Sequence, residues 1–439
     1  MTYSPAPVAV TNDMVVQVTG GRPLEGRITV QGSKNVALHL YAASLLTDAP
    51  VMLLGVPLIL DTDVCAQIIA HTGAWVDVTG SQFLVGPGTR VRPEVHQELG
   101  RRVRTTCVLA AAVLARCGQV TFPHPGGDAF CPRLIDRHLA AMEAAGAKVS
   151  MDGTGMRARC GPGGLRPFTV DMATPYGPSL GATVTALLLA ARAPGASLIT
   201  SPSREPEVTE TVRFLAERGV SIDWDSSGLH VTGTDRIDGG AFAVAGDRIE
   251  AATMIMAAAM TGGRLRLGGI TTAGLPQGLT TTLARAGVPL TGGPGEIRMS
   301  LDGPLRAVET ATGPHPGLPT DTAPQLAAML TQAHGTSLIT ERVYPQRDTH
   351  LEGLAAFGAE VSSRGPAIRV HGTARLRATH VTAADIRAVT ALLLAGLAAE
   401  GTSTIRGIYH LRRGYGHLLS NLATLGAHIT TIPEANPCP

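Results

Sequence analysis

The segment HTGAWVDV at residues 71–78 decides the fold, because five variants of it follow along the chain. In each variant a glycine ends an amphipathic stretch, and a short run typical of a β-strand follows. A glycine suits this position because the residue after a helix often adopts a left-handed backbone. The six glycines are Gly73, Gly146, Gly219, Gly287, Gly358 and Gly426, at spacings of 73, 73, 68, 71 and 68 residues. This period predicts six structural repeats.

Apolar runs recur on the same period, each followed by a turn with glycine and a β-type segment. Two of them are VTALLLAARA at 184–193 and VTALLLAGLAAEG at 389–401. Because these runs are apolar on nearly every face, they predict helices that are buried on most sides. They are shorter than the ~18–20 residues that a membrane-spanning helix needs. Each repeat is therefore predicted to combine a buried helix, an exposed helix and short strands, which is an α/β fold.

The ends of the chain indicate how the repeats are divided. The last repeat stops soon after Gly426 and lacks closing strands, which the N-terminal segment VVQVTGGRPLEGRITVQGSK could supply. The first lobe would then comprise residues 34–246, and the second 1–33 together with 247–439, with three repeats in each. A sequential solenoid is the alternative. Two lobes are favoured because an enzyme cleft would lie naturally between them.

Charge and composition exclude several classes of protein. Lys and Arg number 36 and Asp and Glu 34, so no overall field favours nucleic acid or a membrane surface as a partner. The N-terminus lacks a basic region followed by an apolar one, so no signal peptide is expected, and six cysteines without a CxxC pair favour a reducing cytoplasm. The sequence has no GxxxxGK[ST] loop and no HExxH pair, and we expect no bound metal. An anion site would have to be built from local groups.

Cationic and capping residues cluster where the six buried helices are predicted to begin. A helix N-terminus presents unpaired N–H groups and a positive dipole, so neighbouring cations are unfavourable there unless an anion binds. Loop arginines add bidentate groups for carboxylate or phosphate. The predicted helix starts are Lys34-Asn35, Arg104, Ser179-Leu180-Gly181, Asp247-Arg248, Thr320-Asp321 and Asp385-Ile386-Arg387, and the loop arginines are Arg133, Arg204, Arg347 and Arg413. This pattern predicts an anionic substrate.

Eight motifs are distributed in family order over nearly the whole chain. They are QGSKNVALHLYAASLL (31–46), PHPGGDAFCPRLIDRH (123–138), PSLGAT (178–183), SREPE (203–207), GDRIEAAT (246–253), PHPGLPTD (314–321), ADIRA (384–388) and IYHLRRGYGHLLSNLATLGA (408–427). Together they resemble the enolpyruvyl transferases, most of all the branch that acts on UDP-N-acetylglucosamine in peptidoglycan synthesis. The shikimate-pathway branch fits less well. The resemblance implies two lobes, each an inside-out α/β barrel of three repeats.

The resemblance also implies the substrates, phosphoenolpyruvate and a uracil nucleotide, with no cofactor, and it assigns residues to each. Phosphoenolpyruvate and its phosphate are assigned to Lys34, Arg104, Arg133 and Arg413, with Arg347, Asp385, Ile386 and Arg387 in the second lobe. The nucleotide is assigned to the first lobe, which carries a catalytic loop near 124–133. Asn35 and Asp321 would contact the acceptor sugar, and Thr320 is a further substrate-binding residue. The uracil nucleotide would be lined by Arg133, Asp136, His138, Ser179 and Gly181. Asp247 and Glu250 lie in a matching segment without an assigned role.

The implied reaction is an addition followed by an elimination. An acceptor hydroxyl attacks C2 of phosphoenolpyruvate while C3 gains a proton, and the tetrahedral ketal then loses phosphate and a C3 proton. Asp321 is the expected base and Asp128 the expected acid, with Lys34 and Arg413 at the charges of the reacting group. Many relatives carry cysteine in place of Asp128, and epoxides such as fosfomycin alkylate that thiolate. The protein is therefore expected to be insensitive to fosfomycin.

Departures from the family pattern leave the acceptor open. Leu134-Ile135 replaces a proline and a small residue, Arg412 replaces an aspartate, and Gly177-Pro178 replaces a segment that supplies a lysine in some relatives. The 3-hydroxyl of UDP-N-acetylglucosamine is the expected acceptor. The alternative is the ribose 3′-hydroxyl of uridine monophosphate, used by relatives in nucleoside-antibiotic pathways. A catalytically silent paralogue that binds a sugar nucleotide is the alternative from another class, and the oligomeric state is not determined by the sequence.

Overall fold

The computed structural model describes residues 14–88, 91–128, 134–293, 295–301 and 303–434. They form two compact units. Unit 1 contains residues 33–127 and 134–245, and unit 2 contains residues 14–32, Asp128 and 246–434. These boundaries lie within one residue of those expected at Lys34 and Asp247, except that Asp128 groups with unit 2. The reason is that its side chain contacts Arg413 and Ile386 of that unit.

Short strands and helices alternate along the chain. The strands are β1 Met14–Thr19, β2 Glu25–Thr29, β3 Val51–Leu54, β4 Trp75–Thr79, β5 Gln82–Gly86, β6 Gln119–Phe122, β7 Ala147–Asp152, β8 Gly155–Cys160, β9 Thr169–Asp171, β10 Ala196–Thr200, β11 Ser221–Trp224, β12 Leu229–Thr232, β13 Gly240–Ala243, β14 Arg264–Gly268, β15 Leu290–Gly293, β16 Glu296–Ser300, β17 Glu309–Ala311, β18 Gly335–Thr340, β19 Glu360–Arg364, β20 Ala367–Gly372, β21 His380–Thr382, β22 Thr402–Arg406 and β23 His428–Pro433. The helices are α1 Lys34–Ser44, α2 Leu60–His71, α3 Gln97–Gly100, α4 Thr106–Cys117, α5 Asp136–Ala144, α6 Leu180–Ala190, α7 Pro206–Ala216, α8 Arg248–Met260, α9 Gln277–Arg285, α10 Ala323–Leu330, α11 Leu351–Ala356, α12 Ile386–Ala398, α13 Tyr409–Arg412 and α14 Leu418–Thr424. The predicted α/β class is confirmed.

Among the described residues, each unit contains three small sheets. In unit 1 the strand orders are β13-β3-β5-β4, β6-β8-β7 and β11-β12-β10-β9. In unit 2 they are β21-β22-β1-β23, β15-β16-β14-β2 and β17-β18-β20-β19. The N-terminal strands β1 and β2 complete two sheets of unit 2, since β1 lies between β22 and β23 and β2 pairs with β14. The prediction that the N-terminal segment supplies the missing strands is confirmed.

A strand–helix–strand motif underlies the repeats. β9, α6 and β10 form one such motif, because the two strands pair in parallel and the helix connects them. β17–α10–β18 and β21–α12–β22 repeat it in unit 2. The helix in each motif follows the carboxyl end of a parallel strand, where α/β folds bind ligands. The topology therefore places the starts of α6, α10 and α12 after the carboxyl ends of parallel strands.

At two of its passages between the units, near residues 33 and 246, the chain leaves a strand paired in one unit and enters a helix of the other, so that the units exchange a strand. β2 pairs with β14 in unit 2, but the chain continues from β2 into α1 of unit 1. β13 pairs with β3 in unit 1, but the chain continues from β13 into α8 of unit 2. The exchange explains why the starts of α1 and α8 coincide with the unit boundaries.

The buried helices begin close to the predicted residues. α1 begins at Lys34, α6 at Leu180, α8 at Arg248 and α12 at Ile386. Every residue of α8 is buried, as its apolar pattern predicts. Two predicted starts were placed too early. α4 begins at Thr106, after a turn that holds Arg104, and Thr320–Thr322 forms a 3₁₀ turn before α10 because Pro324 fits the first turn of that helix. In the described ranges, no helix has the length and apolar run to cross a bilayer.

Candidate active site

Asp321 of unit 2 binds two arginines with its two oxygens. Oδ1 accepts a hydrogen bond from Nη1 of Arg347 at 2.8 Å, and Oδ2 accepts one from Nη2 of Arg387 at 2.7 Å. The exposed fractions of the two arginine side chains are 2% and 7%, and that of Asp321 is 26%. Withdrawal from water alone raises the pKa of Asp321, but Arg387 and Arg347 together lower it far below the usual range. Asp321 is therefore a carboxylate at neutral pH and remains accessible.

Asp385 orients the first turn of α12, which carries Arg387. Its Oδ1 accepts the backbone N–H groups of Arg387 at 2.7 Å and Ala388 at 3.0 Å. Its Oδ2 accepts the hydroxyl of Thr349. An aspartate at this N-cap position satisfies helix donors that would otherwise lack partners. Asp385 therefore acts on the site by fixing the helix start and the loop after Arg347.

Asp128 lies at the same helix start. Its Oδ2 accepts the backbone N–H of Ile386 at 3.4 Å, and its Oδ1 accepts a hydrogen bond from Nη1 of Arg413. Nδ1 of His410 lies 3.4 Å from Oδ1 of Asp128. The side chains of Asp128 and Arg413 are 7% and 8% exposed. A buried arginine beside a helix N-terminus forms an anion-binding environment, and Asp128 is the anion that these groups contact.

Glu250 is a buried acid in the first turn of α8. Its Oε2 accepts the backbone N–H of Gln31 at 2.8 Å, and its Oε1 accepts Nδ2 of Asn421 at 3.5 Å. Burial, and next the charge of Asp247, raise the pKa of Glu250 to about 8. The Asp247 carboxylate caps α8 by accepting the N–H of Ile249 at 2.8 Å. Glu250 therefore carries its proton at neutral pH.

Gln31 links this buried acid to the loop that carries Arg413. Its Nε2 donates to the carbonyl of Gly414 at 2.8 Å, and its Oε1 accepts the N–H of Gly416 at 2.9 Å. Because Arg413 directly precedes Gly414, the segment around Gln31 fixes the backbone next to that arginine.

We expect Glu250→Gln to remove a pH dependence of stability. Glu250 keeps its proton in the folded protein up to about pH 8, whereas in the unfolded chain it ionises near its usual pKa. Between these two pKa values the folded state therefore binds more protons than the unfolded state. The contribution is complete below the unfolded pKa and is lost, at about 1.4 kcal/mol per pH unit, as the pH rises towards the folded pKa. Glutamine mimics the protonated acid. Between about pH 6 and about pH 8 the variant should therefore gain about 2 kcal/mol relative to the unmodified protein.

Urea unfolding at the two pH values measures this difference. The exposed Glu309→Gln is the matched control, and its stability difference from the unmodified protein should not vary with pH. A pH-independent difference for Glu250→Gln as well would show that Glu250 is ionised in the folded protein.

Lys34 of unit 1 is paired at the start of α1. Its Nζ lies 2.8 Å from Oδ2 of Asp61, which lies in the first turn of α2. The two side chains are 12% and 7% exposed. A lysine at a helix N-terminus is unfavourable by itself, and the carboxylate of Asp61 offsets its charge. Asp61 therefore holds the amino group of Lys34 in place.

His138 and Gly181, two residues assigned to the nucleotide, lie against each other. Nδ1 of His138 is 2.7 Å from Oγ1 of Thr185, and a Cβ atom on residue 181 would approach the imidazole ring to 3.1 Å. Glycine at 181 therefore leaves room for the ring. Burial, and next the charges of Arg104 and His39, lower the pKa of His138 to about 3. The imidazole is neutral and presents one donor and one acceptor nitrogen.

The other residues assigned to unit 1 lie at or near helix starts. Asn35 is half-buried in the first turn of α1, and Arg104 and Asp136 are exposed. Ser179 precedes α6 but makes no side-chain capping bond to it. Arg133 lies outside the described residues.

Sequence reasoning missed three residues that contact the assigned ones. Asp61 binds Lys34, and Tyr415 accepts a hydrogen bond from Nη1 of Arg387 at 2.8 Å. Glu341 accepts a hydrogen bond from Thr320. Tyr415 lies in a quoted motif and could have been found there. Asp61 and Glu341 look like ordinary surface acids in the sequence and gave no signal.

The described cysteines are poor nucleophiles. Burial raises the pKa of Cys107 to about 12 and that of Cys65 further. Burial also raises the pKa of Cys117 and Cys160. Because the thiolate is the reactive form, these thiols are unreactive at neutral pH. Cys131 lies outside the described residues.

Comparison with known proteins agrees with this architecture. The family model for EPSP synthase (3-phosphoshikimate 1-carboxyvinyltransferase) matches residues 18–422. The UDP-N-acetylglucosamine 1-carboxyvinyltransferase of Novosphingobium aromaticivorans is 36% identical, over 94% of this chain and 98% of its own. The enzyme of the same name from Zymomonas mobilis is 35% identical, over 95% and 99%.

Solved structures share the fold. The crystal structure of the enolpyruvyl transferase NikO from Streptomyces tendae has a TM-score of 0.86 at 27% identity, covering 96% of this chain and 99% of its own. EPSP synthase from Acinetobacter baumannii has a TM-score of 0.76 at 16% identity, covering 96% and 100%. The expected two-lobed, inside-out α/β fold is confirmed. The chain belongs to the EPSP synthase family and is an enolpyruvyl (1-carboxyvinyl) transferase.

Proposed function

We propose that the protein transfers the enolpyruvyl group of phosphoenolpyruvate to a hydroxyl of a uracil nucleotide, with UDP-N-acetylglucosamine as the preferred acceptor. One observation carries the proposal: three buried arginines of unit 2, Arg347, Arg387 and Arg413, contact two carboxylates, Asp321 and Asp128. Phosphoenolpyruvate has a carboxylate and a phosphate, and these two anions suit the same guanidinium groups. The cytoplasmic location of the enzyme stays a prediction.

The side chains of unit 2 supply the groups that the reaction needs. Asp321 takes the proton of the acceptor hydroxyl as its oxygen bonds to C2. The phosphate of phosphoenolpyruvate displaces Asp128 from Arg413 and the N–H of Ile386, and Asp128, protonated once it has lost these partners, delivers that proton to C3. In the second half-reaction C3 loses a proton to Asp128, the C2–O bond to phosphate breaks, and the electron pair of the C–H bond forms the vinyl double bond. Arg413 and the N–H of Ile386 stabilise the charge of the departing phosphate. Arg347 and Arg387 hold the carboxylate.

Unit 1 supplies the proposed nucleotide site. Neutral His138 and the backbone at Gly181 offer a donor and an acceptor to the uracil, and Asn35 contacts the acceptor sugar. Arg133, Asp136 and Ser179 complete the proposed nucleotide contacts. Lys34 and Arg104 are proposed to add positive charge for the phosphate of phosphoenolpyruvate.

UDP-N-acetylglucosamine is preferred as the acceptor because relatives named UDP-N-acetylglucosamine 1-carboxyvinyltransferase are about 35% identical over nearly the whole chain. Uridine monophosphate stays the second candidate on one observation. Thr174 and Gly177 close a tight turn through two backbone hydrogen bonds of 3.2 and 3.1 Å, at the place where some relatives supply a lysine to the diphosphate. A nucleotide with one phosphate would not need that cation.

Release of phosphate from phosphoenolpyruvate tests both candidates. We expect release only when an acceptor is present, with a higher kcat/KM for UDP-N-acetylglucosamine than for uridine monophosphate. A higher value for the monophosphate would reverse the choice of acceptor. If neither acceptor leads to phosphate release but calorimetry shows that the sugar nucleotide binds, the silent paralogue is favoured instead.

A further inference from the structure

Glu341 is a buried carboxylate that the proposed reaction does not use. It is 1% exposed and follows β18. Its Oε1 accepts the hydroxyl of Thr312 at 2.6 Å and the N–H groups of Val343 and Tyr344 at 2.9 and 3.0 Å. Its Oε2 accepts the hydroxyl of Thr320 at 2.8 Å. All four partners donate, so the site is built for a group that only accepts.

The hydroxyl of Thr320 connects this carboxylate to Arg347. Nη1 of Arg347 lies 2.9 Å from Oγ1 of Thr320. A guanidinium can only donate, so the hydroxyl must accept from Arg347, and its single proton is left for Glu341. Glu341 therefore fixes the direction of the hydroxyl and, through it, one edge of the guanidinium.

The same carboxylate shapes the loop that leads to Arg347. Its bonds to the N–H groups of residues 343 and 344 close the turn directly after β18. The hydroxyl of Thr312, which donates to Glu341, also accepts the N–H of Arg342 at 2.9 Å. These bonds hold the backbone directly after β18, whereas the bond through Thr320 reaches the guanidinium of Arg347 itself.

We infer that Glu341 is a positioning residue, which holds Arg347 in the orientation that binds phosphoenolpyruvate, with the Thr320 hydroxyl as the link. The inference rests on the proposed function, because that function assigns Arg347 to this substrate. It adds that the affinity for phosphoenolpyruvate depends on two groups besides the substrate contacts. These are the Thr320 hydroxyl and the Glu341 carboxylate, which hold the guanidinium of Arg347.

Variants of the two threonines that donate to Glu341 distinguish an effect on the position of Arg347 from an effect on the stability of the fold. Thr320→Val removes the bond to Arg347, and we expect the KM for phosphoenolpyruvate to rise about tenfold, the effect of one hydrogen bond to a charged group. Thr320→Ser keeps a hydroxyl and should restore the KM. Thr312→Val is the matched control, because the hydroxyl of Thr312 bonds Glu341 and Arg342. It should lower the melting temperature but leave the KM for phosphoenolpyruvate unchanged.

Glu341→Gln adds a test of the acceptor role. The amide keeps the shape, but its NH₂ group must face either Thr320 or the donors on the other oxygen. We expect a rise in the KM for phosphoenolpyruvate similar to that of Thr320→Val. Because both changes break the same chain of bonds, the double variant should be no worse than the single ones.

Steady-state kinetics, thermal melting and calorimetry with phosphoenolpyruvate decide the inference. A KM that rises in Thr320→Val and Glu341→Gln but not in Thr312→Val supports it. Equal KM values in Thr320→Val and Thr312→Val overturn it. If the unmodified protein releases no phosphate with any acceptor, the proposed function fails, and calorimetry with phosphoenolpyruvate still decides the positioning role. Weaker binding in Thr320→Val alone then supports the inference, and equal binding in both variants rejects it.

Discussion

Replacing Asp321 by alanine is expected to lower turnover by about three orders of magnitude while phosphoenolpyruvate binds more tightly. Turnover falls because no carboxylate remains to take the proton of the acceptor hydroxyl. Binding tightens because Arg347 and Arg387 now share Asp321 at 2.8 and 2.7 Å and would then face the substrate anion without a competitor. A residue that only bound the substrate would change the affinity in the opposite direction.

In the proposed mechanism, the ion pairs also determine when Asp321 acts as a base. Arg387 and Arg347 hold its pKa well below the usual range, and a carboxylate held in this way is a weak base. When phosphoenolpyruvate takes over these guanidinium groups, the basicity of Asp321 rises. The base is thus activated by the substrate whose transfer it assists.

Phosphate release and calorimetry on Asp321→Ala and Asp321→Asn measure these effects. Loss of one partner from buried ion pairs costs about 3 kcal/mol of stability, so folding is checked by unfolding experiments. Asp348→Ala is the matched control, because Asp348 is exposed, and it should retain turnover. Near-normal turnover in Asp321→Ala would remove the residue from the mechanism.

The second large effect concerns Asp128. Asp128→Ala should lower turnover by about two to four orders of magnitude, because C3 then lacks its proton donor. Asp128→Cys should keep part of the activity, since a thiol also delivers a proton, and should become sensitive to fosfomycin. Arg413, which contacts residue 128, would favour the thiolate that attacks the epoxide.

The unmodified enzyme should be insensitive to the epoxide. A carboxylate is a much weaker nucleophile than a thiolate, and burial raises the pKa of Cys65 and Cys107. Mass spectrometry after incubation with fosfomycin measures adduct formation in both proteins. Time-dependent inactivation of the unmodified enzyme, with an adduct on Asp128 or Cys131, would falsify this placement. Full activity in Asp128→Ala would show that another group protonates C3.

The repeated fold could be predicted because its signals are local. Glycines such as Gly73 (φ 95°) and Gly146 (φ 99°) adopt the left-handed backbone that their position after a helix requires. The apolar pattern of α8 fixes a buried helix within its own thirteen residues. The start of α10 was less predictable. A 3₁₀ turn and an α-helical turn share similar residues, and only the placement of Pro324 separates them.

The pairing of charges could not be predicted, because it depends on contacts between distant residues. Asp321 contacts Arg347, 26 positions away, and Arg387, 66 positions away. The sequence indicated a base and two substrate arginines but did not show that they bind one another. Asp128 was expected to remain with the first lobe, yet its contacts with Arg413, 285 positions away, group it with unit 2.

The fate of the bridging oxygen of phosphoenolpyruvate tests the central claim most directly. This oxygen joins C2 to phosphorus, and it is labelled with a heavy isotope before the reaction with UDP-N-acetylglucosamine. Addition and elimination break the C2–O bond, so mass spectrometry should find the label in the released phosphate and an intact enolpyruvyl group on the acceptor. Label retained in pyruvate, with phosphate on the acceptor, would mean that the P–O bond breaks and that the protein transfers phosphate instead.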